Sequence, residues 1–249
     1  MLNDLTHDLR AMRLPGMAAA LQRWVEDPTN AERSALDCVH HLVSTQREMS
    51  QHRRTEGFHV RFRVPPQMTL AAFEPSNGRG LSPQRFRHLA SLAWSDAGQN
   101  VVLTGPSQAG KTHLAVGLAL EAYAAGHTVH VQRVPELLAQ LAASPDAKAS
   151  GALVERLSRP AVLVLDDLAT DVASADQTSW LRRLLERRAA RKGTVIVTSI
   201  ADPDEWSQFF DNPAAADGIH GRLTHNAHEV SLKRRGAAKV TKEVTEDGR

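Results

Sequence analysis

The spacing of apolar residues predicts a helical N-terminal region. In residues 1–66, apolar residues recur at helical spacing, and Pro15-Gly16 separates the first helix from the second. A third helix is predicted to begin at a capping box formed by Thr29 and Glu32. Its expected apolar face consists of Leu36, Val39, Leu42 and Val43. Either these helices form a small bundle or they dock on a partner.

The pattern changes after Val64-Pro65-Pro66, where two prolines predict the end of the helical region. Gly78-Arg79-Gly80 is predicted as a flexible connection, and Ser82 with Pro83 predicts the start of another helix. Apolar runs predict strands at residues 100–104, 128–131, 161–167, 194–199 and 228–232, with helical patterns between them. Strands that alternate with helices indicate an α/β fold with a parallel sheet flanked by helices.

These patterns predict three parts of the chain. Residues 1–66 form a helical region for partner docking or DNA contact, and residues 67–232 form the α/β domain. Residues 233–249 form a basic C-terminal tail. At 249 residues with 42% hydrophobic residues, the chain is long enough for one α/β domain and a smaller part.

The turn after the first predicted strand has the residue order of a P-loop. Its residues are Gly105, Pro106, Ser107, Gln108, Ala109, Gly110, Lys111 and Thr112. Glycines let the backbone N–H groups approach phosphate oxygens at the positive end of the following helix. Lys111 is placed to reach the β- and γ-phosphates, and the Thr112 hydroxyl is placed to coordinate magnesium. The sequence therefore predicts binding of ATP and Mg²⁺.

Two acids end the strand at residues 161–167, as in a Walker B motif. Asp166 is predicted to support the magnesium ion together with Thr112, and Asp167 is predicted to face the attacking water. The strand at residues 194–199 ends in Thr198 and Ser199, either of which is placed to touch the γ-phosphate or its water.

The distribution of charge and the cysteine content bear on the partners and the cellular location of the protein. The net charge is only +2, but the basic residues are unevenly distributed, and clusters of this kind are able to neutralise a phosphate backbone. For each cluster a solvated helix face remains the alternative. The clusters are Arg47, Arg53, Arg54, Arg61 and Arg63; Arg182, Arg183, Arg187, Arg188, Arg191 and Lys192; and Lys233, Arg234, Arg235, Lys239 and Lys242. The single Cys38 and the lack of a signal-like or membrane-spanning run predict a cytoplasmic protein without membrane contact.

The combined motifs resemble the IstB-like ATPases of insertion sequences, which are AAA+ proteins related to DnaC helicase loaders. The resemblance rests on the P-loop followed by His113-Leu114-Ala115, the Asp166-Asp167-Leu168 strand end and Thr198-Ser199. It also rests on the N-terminal stretch at residues 9–17 and on residues 221–228, which end in His-Asn-Ala-His. It covers nearly the whole chain.

The resemblance implies an ATP-dependent homo-oligomer on duplex DNA that assists a transposase in choosing a target. It implies that nucleotide is bound by Gly105 to Thr112 with His113, and that residues 68–73 lie near adenine. Arg222 would match the arginine that is presented to a neighbouring subunit's nucleotide. Together with Asp167 and Ser199, it completes the expected catalytic set.

Three departures from the family pattern concern hydrolysis rather than binding. Asp167 stands where the family usually has glutamate, and Ile200 stands where it usually has a polar amide. Gly236-Ala237-Ala238 stands about where an arginine that senses the γ-phosphate is expected. We therefore expect tight nucleotide binding with slow or partner-dependent hydrolysis. The alternatives are a DnaC-type helicase loader and an adaptor that binds ATP without hydrolysing it.

Overall fold

The chain divides into two compact units in a computed structural model that describes residues 1–234. Met1–Arg63 is the first unit, and the chain from Val64 onward is the second. This boundary lies just before Pro65 and Pro66, near the expected limit at residue 66. Of the expected basic tail, Arg235, Lys239 and Lys242 lie outside the described residues, as does Gly236-Ala237-Ala238.

The first unit consists of α-helices in which each helix packs on the next one along the chain. They are α1 (Leu2–Ala11), α2 (Pro15–Glu26) and α3 (Ala35–Phe62). Helix α2 approaches α3 closely at Gly16, where a side chain would meet Gln46 at 2.9 Å. The Oε1 atom of Gln46 accepts hydrogen bonds from the backbone N–H groups of Gly16 (2.8 Å) and Met17 (3.2 Å). These bonds satisfy N–H groups of the first turn of α2, which have no partner within the helix.

The predicted start of the third helix is wrong. Thr29 lies in a short 3-10 turn, Pro28–Asn30, and its N–H and hydroxyl both donate to Asp27 Oδ1, at 2.9 and 2.7 Å. Helix α3 begins after Ser34, whose hydroxyl accepts a hydrogen bond from the Asp37 N–H at 3.2 Å. Both sites fit the capping pattern, but the Asp27 side chain holds Thr29 in a local turn.

The predicted apolar face of this helix is also wrong except at Leu42. Leu42 is buried, whereas Leu36, Val39 and Val43 are 80%, 53% and 47% exposed. Gln46, one turn after Leu42, binds the start of α2, so the strip of α3 with these two residues faces α2.

The second unit contains a five-stranded parallel sheet within the described residues, in the order β2-β3-β4-β1-β5. This confirms the predicted α/β fold. The strands are β1 (Asn100–Thr104), β2 (Val129–Arg133), β3 (Val162–Leu168), β4 (Thr194–Ser199) and β5 (Ala227–Ser231). The helices are α4 (Pro83–Ala90), α5 (Ala93–Asp96), α6 (Lys111–Ala124), α7 (Val134–Ala142), α8 (Ala147–Ser158), α9 (Ala175–Ala190) and α10 (Pro213–Thr224).

The central strands are buried on both faces, as expected for a parallel sheet covered by helices. Leu103, Val164 and Ile196, one from each of β1, β3 and β4, are fully buried. Because the strands are parallel, the residues that follow β1, β3 and β4 meet at one edge of the sheet. No helix within residues 1–234 is long and apolar enough to cross a membrane.

Candidate nucleotide-binding site

The predicted P-loop connects β1 to α6 and has the backbone of a tight loop. Gly105 and Gly110 have φ values of +130° and +93°, in the left-handed region that favours glycine. At Gly105 a side chain is also excluded by packing, since a Cβ atom would lie 2.0 Å from the backbone oxygen of Leu232. Gln108 adopts a left-handed conformation as well, with φ of +66°. The loop therefore requires glycine at the two positions where the motif has it.

Lys111 places its ammonium group inside this loop. The Nζ atom donates hydrogen bonds to the backbone oxygens of Gly105 (2.8 Å) and Pro106 (3.0 Å), and the residue is only 6% exposed. Burial lowers the pKa of Lys111, and the nearby Asp166 and Asp167 act in the opposite direction. The loop thus encloses a positive charge where the motif predicts phosphate.

Two hydroxyl groups converge on the carboxylate of Asp166 at the end of β3. Its Oδ1 atom accepts hydrogen bonds from Thr112 Oγ1 (2.9 Å) and Thr198 Oγ1 (2.7 Å). Asp166 is 4% exposed, and this burial raises its pKa despite the hydrogen bond from Thr198. Hydroxyl and carboxylate oxygens are ligands that Mg²⁺ accepts, together with phosphate and water oxygens. The pair of Thr112 and Asp166 therefore fits the predicted magnesium site.

Asp167 faces a different neighbour, which the sequence did not reveal. The ladder between β3 and β4 shifts register between Leu165 and Leu168, and Asp167 has a left-handed φ of +62°. Its N–H donates to Thr198 Oγ1 at 2.9 Å, and its Oδ2 accepts a hydrogen bond from Arg133 Nη2 at 2.8 Å. This hydrogen bond raises the pKa of Arg133. Arg133 ends β2 opposite Asp166, so the contact depends on strand pairing rather than on spacing along the chain.

Ser199, the predicted catalytic hydroxyl, is fully buried away from the acidic pair. Its Oγ accepts hydrogen bonds from Trp206 Nε1 (3.0 Å) and the N–H of Ala201 (3.1 Å). Successive side chains of a strand point to opposite faces, so Thr198 and Ser199 cannot both face the site. The structure brings Thr198 to Asp166 and Asp167, and Ser199 to Trp206.

The segment expected near adenine lies along the first turns of α6. His113 Nε2 is 2.8 Å from the backbone oxygen of Thr69, and the His113 ring meets Phe73 edge-on at 5.6 Å between centroids. A side chain at Gly117 would meet Leu70 at 2.7 Å, so the segment packs closely on the helix. His113 is thus beside residues 68–73, and contact of either with adenine stays a prediction.

Arg222 lies away from the P-loop of its own chain. Asn100 begins β1 and donates to the Arg222 backbone oxygen at 2.8 Å, whereas the P-loop follows the other end of β1. Five residues of a strand span about 16 Å. Arg222 Nη2 donates to Glu186 Oε1 at 3.2 Å, and Arg182 binds the same oxygen. The alternative role that the sequence offers for Arg222 is a surface ion pair with a nearby acid, such as Asp217. The structure shows an ion pair of this kind, and its acid is Glu186 of α9.

Several arginines of the basic cluster at α9 are held by contacts within the second unit. Glu155 of α8 forms ion pairs with Arg159, Arg187 and Arg191. Arg188 is 1% exposed and donates to backbone oxygens, among them that of Pro160 at 2.8 Å; burial lowers its pKa to about 10. In contrast, the α3 arginines Arg47, Arg53, Arg61 and Arg63 are exposed.

Known proteins resemble this chain in sequence and fold. Residues 7–243 match the family described as IstB-like ATP binding protein. An insertion-sequence ATP-binding protein of Mycobacterium tuberculosis is 28% identical over 92% of this chain and 91% of its own length. The ATP-binding protein of insertion sequence IS21 from Pseudomonas aeruginosa is 31% identical over 74% of this chain and 72% of its own length.

Two of the solved structures with a similar fold each match about two thirds of the chain. The crystal structure of DnaI superimposes with a TM-score of 0.58 and 19% identity, covering 68% of this chain and 95% of DnaI. That of the DnaC helicase loader gives a TM-score of 0.57 and 16% identity, covering 67% of this chain and 97% of the loader. The fold is therefore that of an AAA+ P-loop domain preceded by N-terminal helices. With the family match over most of its length, the chain belongs to the IstB-like ATP-binding proteins.

Proposed function

We propose that this protein binds ATP with Mg²⁺, hydrolyses it slowly, and oligomerises on duplex DNA to assist a transposase in target selection. The observation that supports it most is the convergence of the Thr112 and Thr198 hydroxyls on Asp166 beside the P-loop. This arrangement gathers oxygen ligands for a metal next to a loop that encloses the Lys111 ammonium. The insertion-sequence context of the relatives supports transposition as the setting.

In this proposal each residue at the sheet edge has one role. The P-loop N–H groups and Lys111 bind the phosphates, while Thr112 and Asp166 hold the Mg²⁺ that neutralises their charge. Asp167 orients the attacking water and accepts its proton. Arg133 donates a hydrogen bond to one of the two Asp167 carboxylate oxygens, at 2.8 Å, and this ion pair restrains the turn of the carboxylate toward a water. The shorter reach of aspartate and this ion pair together favour slow hydrolysis.

Replacing Arg133 with glutamine is expected to raise basal ATP hydrolysis about two- to fivefold, because a partly exposed ion pair of this kind contributes about 1 kcal/mol or less. Binding of ATP should not change. Steady-state phosphate release measures the rate. Glu136→Gln is the matched control, since Glu136 also forms an ion pair with Arg133, at 3.8 Å. A rate at or below that of the parent would contradict the proposed restraint on Asp167.

Duplex DNA of any sequence is expected to bind in the presence of ATP, with log affinity falling linearly with log salt concentration. The exposed arginines of α3 are the proposed contact, because three arginines of the α9 cluster are engaged in ion pairs with glutamates, namely Arg182, Arg187 and Arg191. Replacing both Arg53 and Arg61 with alanine should reduce the salt slope by about two and the affinity at least about tenfold. Gel-shift titrations across salt concentrations measure both quantities.

The matched control for DNA binding replaces Arg187 and Arg191, both of which form ion pairs with Glu155. It removes the same number of arginines and should change the salt slope little. A flat salt dependence of the parent protein, or binding confined to single strands, would overturn the DNA proposal. A larger effect of the α9 pair than of the α3 pair would move the contact to α9.

A helicase loader is the second candidate, and the fold similarity to the DnaC helicase loader favours it. A loader would prefer single-stranded DNA and would bind a hexameric helicase. A neighbouring reading frame that encodes an integrase-like transposase, and stimulation of ATP hydrolysis by that transposase, would support the leading proposal. A non-hydrolysing adaptor would bind ATP and DNA with no phosphate release.

A further inference from the structure

Arg79 contacts the P-loop at Ala109 and belongs to the stretch that the sequence predicted as a flexible connection. It ends a 3-10 turn, Asn77–Arg79, that precedes α4. Its Nη2 atom donates to the backbone oxygen of Ala109 at 2.9 Å, and its Nη1 atom donates to that of Glu74 at 2.8 Å. One guanidinium therefore connects the P-loop to the segment before α4.

The position of this guanidinium is fixed from two sides. It stacks on Phe73, with the central carbon 4.3 Å from the ring centroid, and Phe73 itself is 4% exposed and stacked on Phe86. The backbone oxygen of Arg79 accepts a hydrogen bond from the Lys233 N–H at 2.9 Å. Arg79 is therefore held by its side chain and by its backbone.

The contact acts on the peptide group that precedes the P-loop helix. The oxygen of Ala109 and the N–H of Gly110 belong to the same peptide group, and this N–H is among those that the motif directs at phosphate. A cation bound to the oxygen polarises the group and strengthens its N–H as a donor. The Arg79 guanidinium also packs closely on Gly110, because a Cβ atom at Gly110 would lie 2.7 Å from Arg79 Nη2.

We propose that Arg79 is a positioning residue for nucleotide binding, which clamps the Ala109–Gly110 peptide and adds positive charge beside the phosphate site. The inference rests on the proposed function, in which the P-loop is the ATP site. It assigns to Arg79 a preference for the polyphosphate part of the ligand. Phosphate affinity then depends on an arginine outside the P-loop motif.

Calorimetric titration with ATP and Mg²⁺ tests the proposal. Arg79→Ala is expected to weaken ATP binding about tenfold to hundredfold, the range for hydrogen bonds that involve a charged group. Arg79→Lys, which keeps the charge but not the two-pronged geometry, should recover part of this loss. Arg87→Ala, which removes an exposed arginine from α4, is the matched control and should bind ATP as the parent does.

Competition by inorganic tripolyphosphate separates this role from contact with the base, and the partial recovery in Arg79→Lys separates it from a merely structural role. In the proposal, Arg79→Ala weakens tripolyphosphate binding by the same factor as ATP binding. Unchanged tripolyphosphate binding, or ATP affinity equal to that of Arg87→Ala, would overturn it. If Arg79→Ala does not fold, as judged by thermal unfolding, the affinities of Arg79→Lys for ATP and for tripolyphosphate are compared with those of the parent in the same way.

The parent protein and Lys111→Ala separate this inference from the proposed function. If the parent binds ATP, Lys111→Ala does not, and Arg79→Ala binds as the parent does, the inference fails alone. If the parent binds no ATP, the proposed function fails and the inference fails with it.

Discussion

Replacing Arg222 with alanine is expected to reduce DNA-stimulated ATP hydrolysis roughly a thousandfold, the effect of an arginine supplied to the nucleotide of a neighbouring subunit. Nucleotide binding by a single chain should not change, because Arg222 lies by the start of β1 and the P-loop follows its end. To act on a neighbour, the guanidinium must leave Glu186, which costs about 1 kcal/mol or less at a partly exposed pair.

A mixture of two variants tests whether Arg222 acts in trans. Lys111→Ala lacks a working phosphate site but keeps Arg222, whereas Arg222→Ala keeps its phosphate site. In a mixed oligomer the second variant accepts Arg222 from the first, so hydrolysis should partly return. If mixed oligomers form and hydrolysis stays as low as in either variant alone, Arg222 does not act in trans.

Arg182 offers a matched control for this experiment. It belongs to α9 and binds the same oxygen of Glu186 as Arg222 does. Arg182→Ala removes one arginine from the same ion-pair cluster and should leave the rate of hydrolysis within a few-fold of the parent. An equal loss in Arg182→Ala and Arg222→Ala would indicate that the cluster stabilises the fold and that neither arginine reaches a nucleotide.

Replacing Asp167 with asparagine is expected to lower hydrolysis about a hundredfold or more while ATP stays bound, because the amide cannot accept the proton of the attacking water. The assembled, ATP-bound state should therefore persist. Asp167→Glu is expected to raise the rate by restoring the longer reach of glutamate. Single-turnover hydrolysis and ATP titration measure the two effects separately.

The control for Asp167 is Asp171→Asn, which removes an exposed acid from the loop that follows β3. It should hydrolyse ATP at the parent rate. Parent rates in both Asp167→Asn and Asp167→Glu would exclude Asp167 as the base. Loss of ATP binding in Asp167→Asn would instead indicate that the carboxylate supports the phosphate site together with Asp166.

Local sequence determined the strands, the P-loop and the order of elements in the second unit. The predicted limits of β1 and β4 are those observed, and the other strands differ by one or two residues. These features depend on runs of apolar residues and on glycine at positions with positive φ. Both are properties of short stretches of sequence, so a local pattern predicts them. The contact of Thr112 with Asp166 is also predictable from sequence. Asp166 lies near the end of β3, Thr112 follows β1, and the ends of parallel strands meet at one edge of the sheet.

The first unit shows where local pattern is insufficient. Thr29 with Glu32 and Ser34 with Asp37 both fit a helix start, and the Asp27 side chain decides between them. Leu36, Val39 and Val43 follow helical spacing, yet they are exposed, because α2 packs on a strip of α3 that includes Gln46 instead. Spacing identifies a helix, but which face is covered depends on the neighbouring helix.

Contacts between residues far apart in the chain were decided by the tertiary structure alone. The pairing of β2 with β3 brings Arg133 to Asp167, and the packing of α9 on α10 brings Glu186 to Arg222. Strand order brings the loop before α4 to the P-loop, where Arg79 binds Ala109. Sequence determined which residues carry the chemistry, since that follows from residue type and local spacing. Which charged side chains form ion pairs with those residues depends on how the helices and strands pack. That packing joins residues far apart in the chain, so no local sequence pattern predicts it.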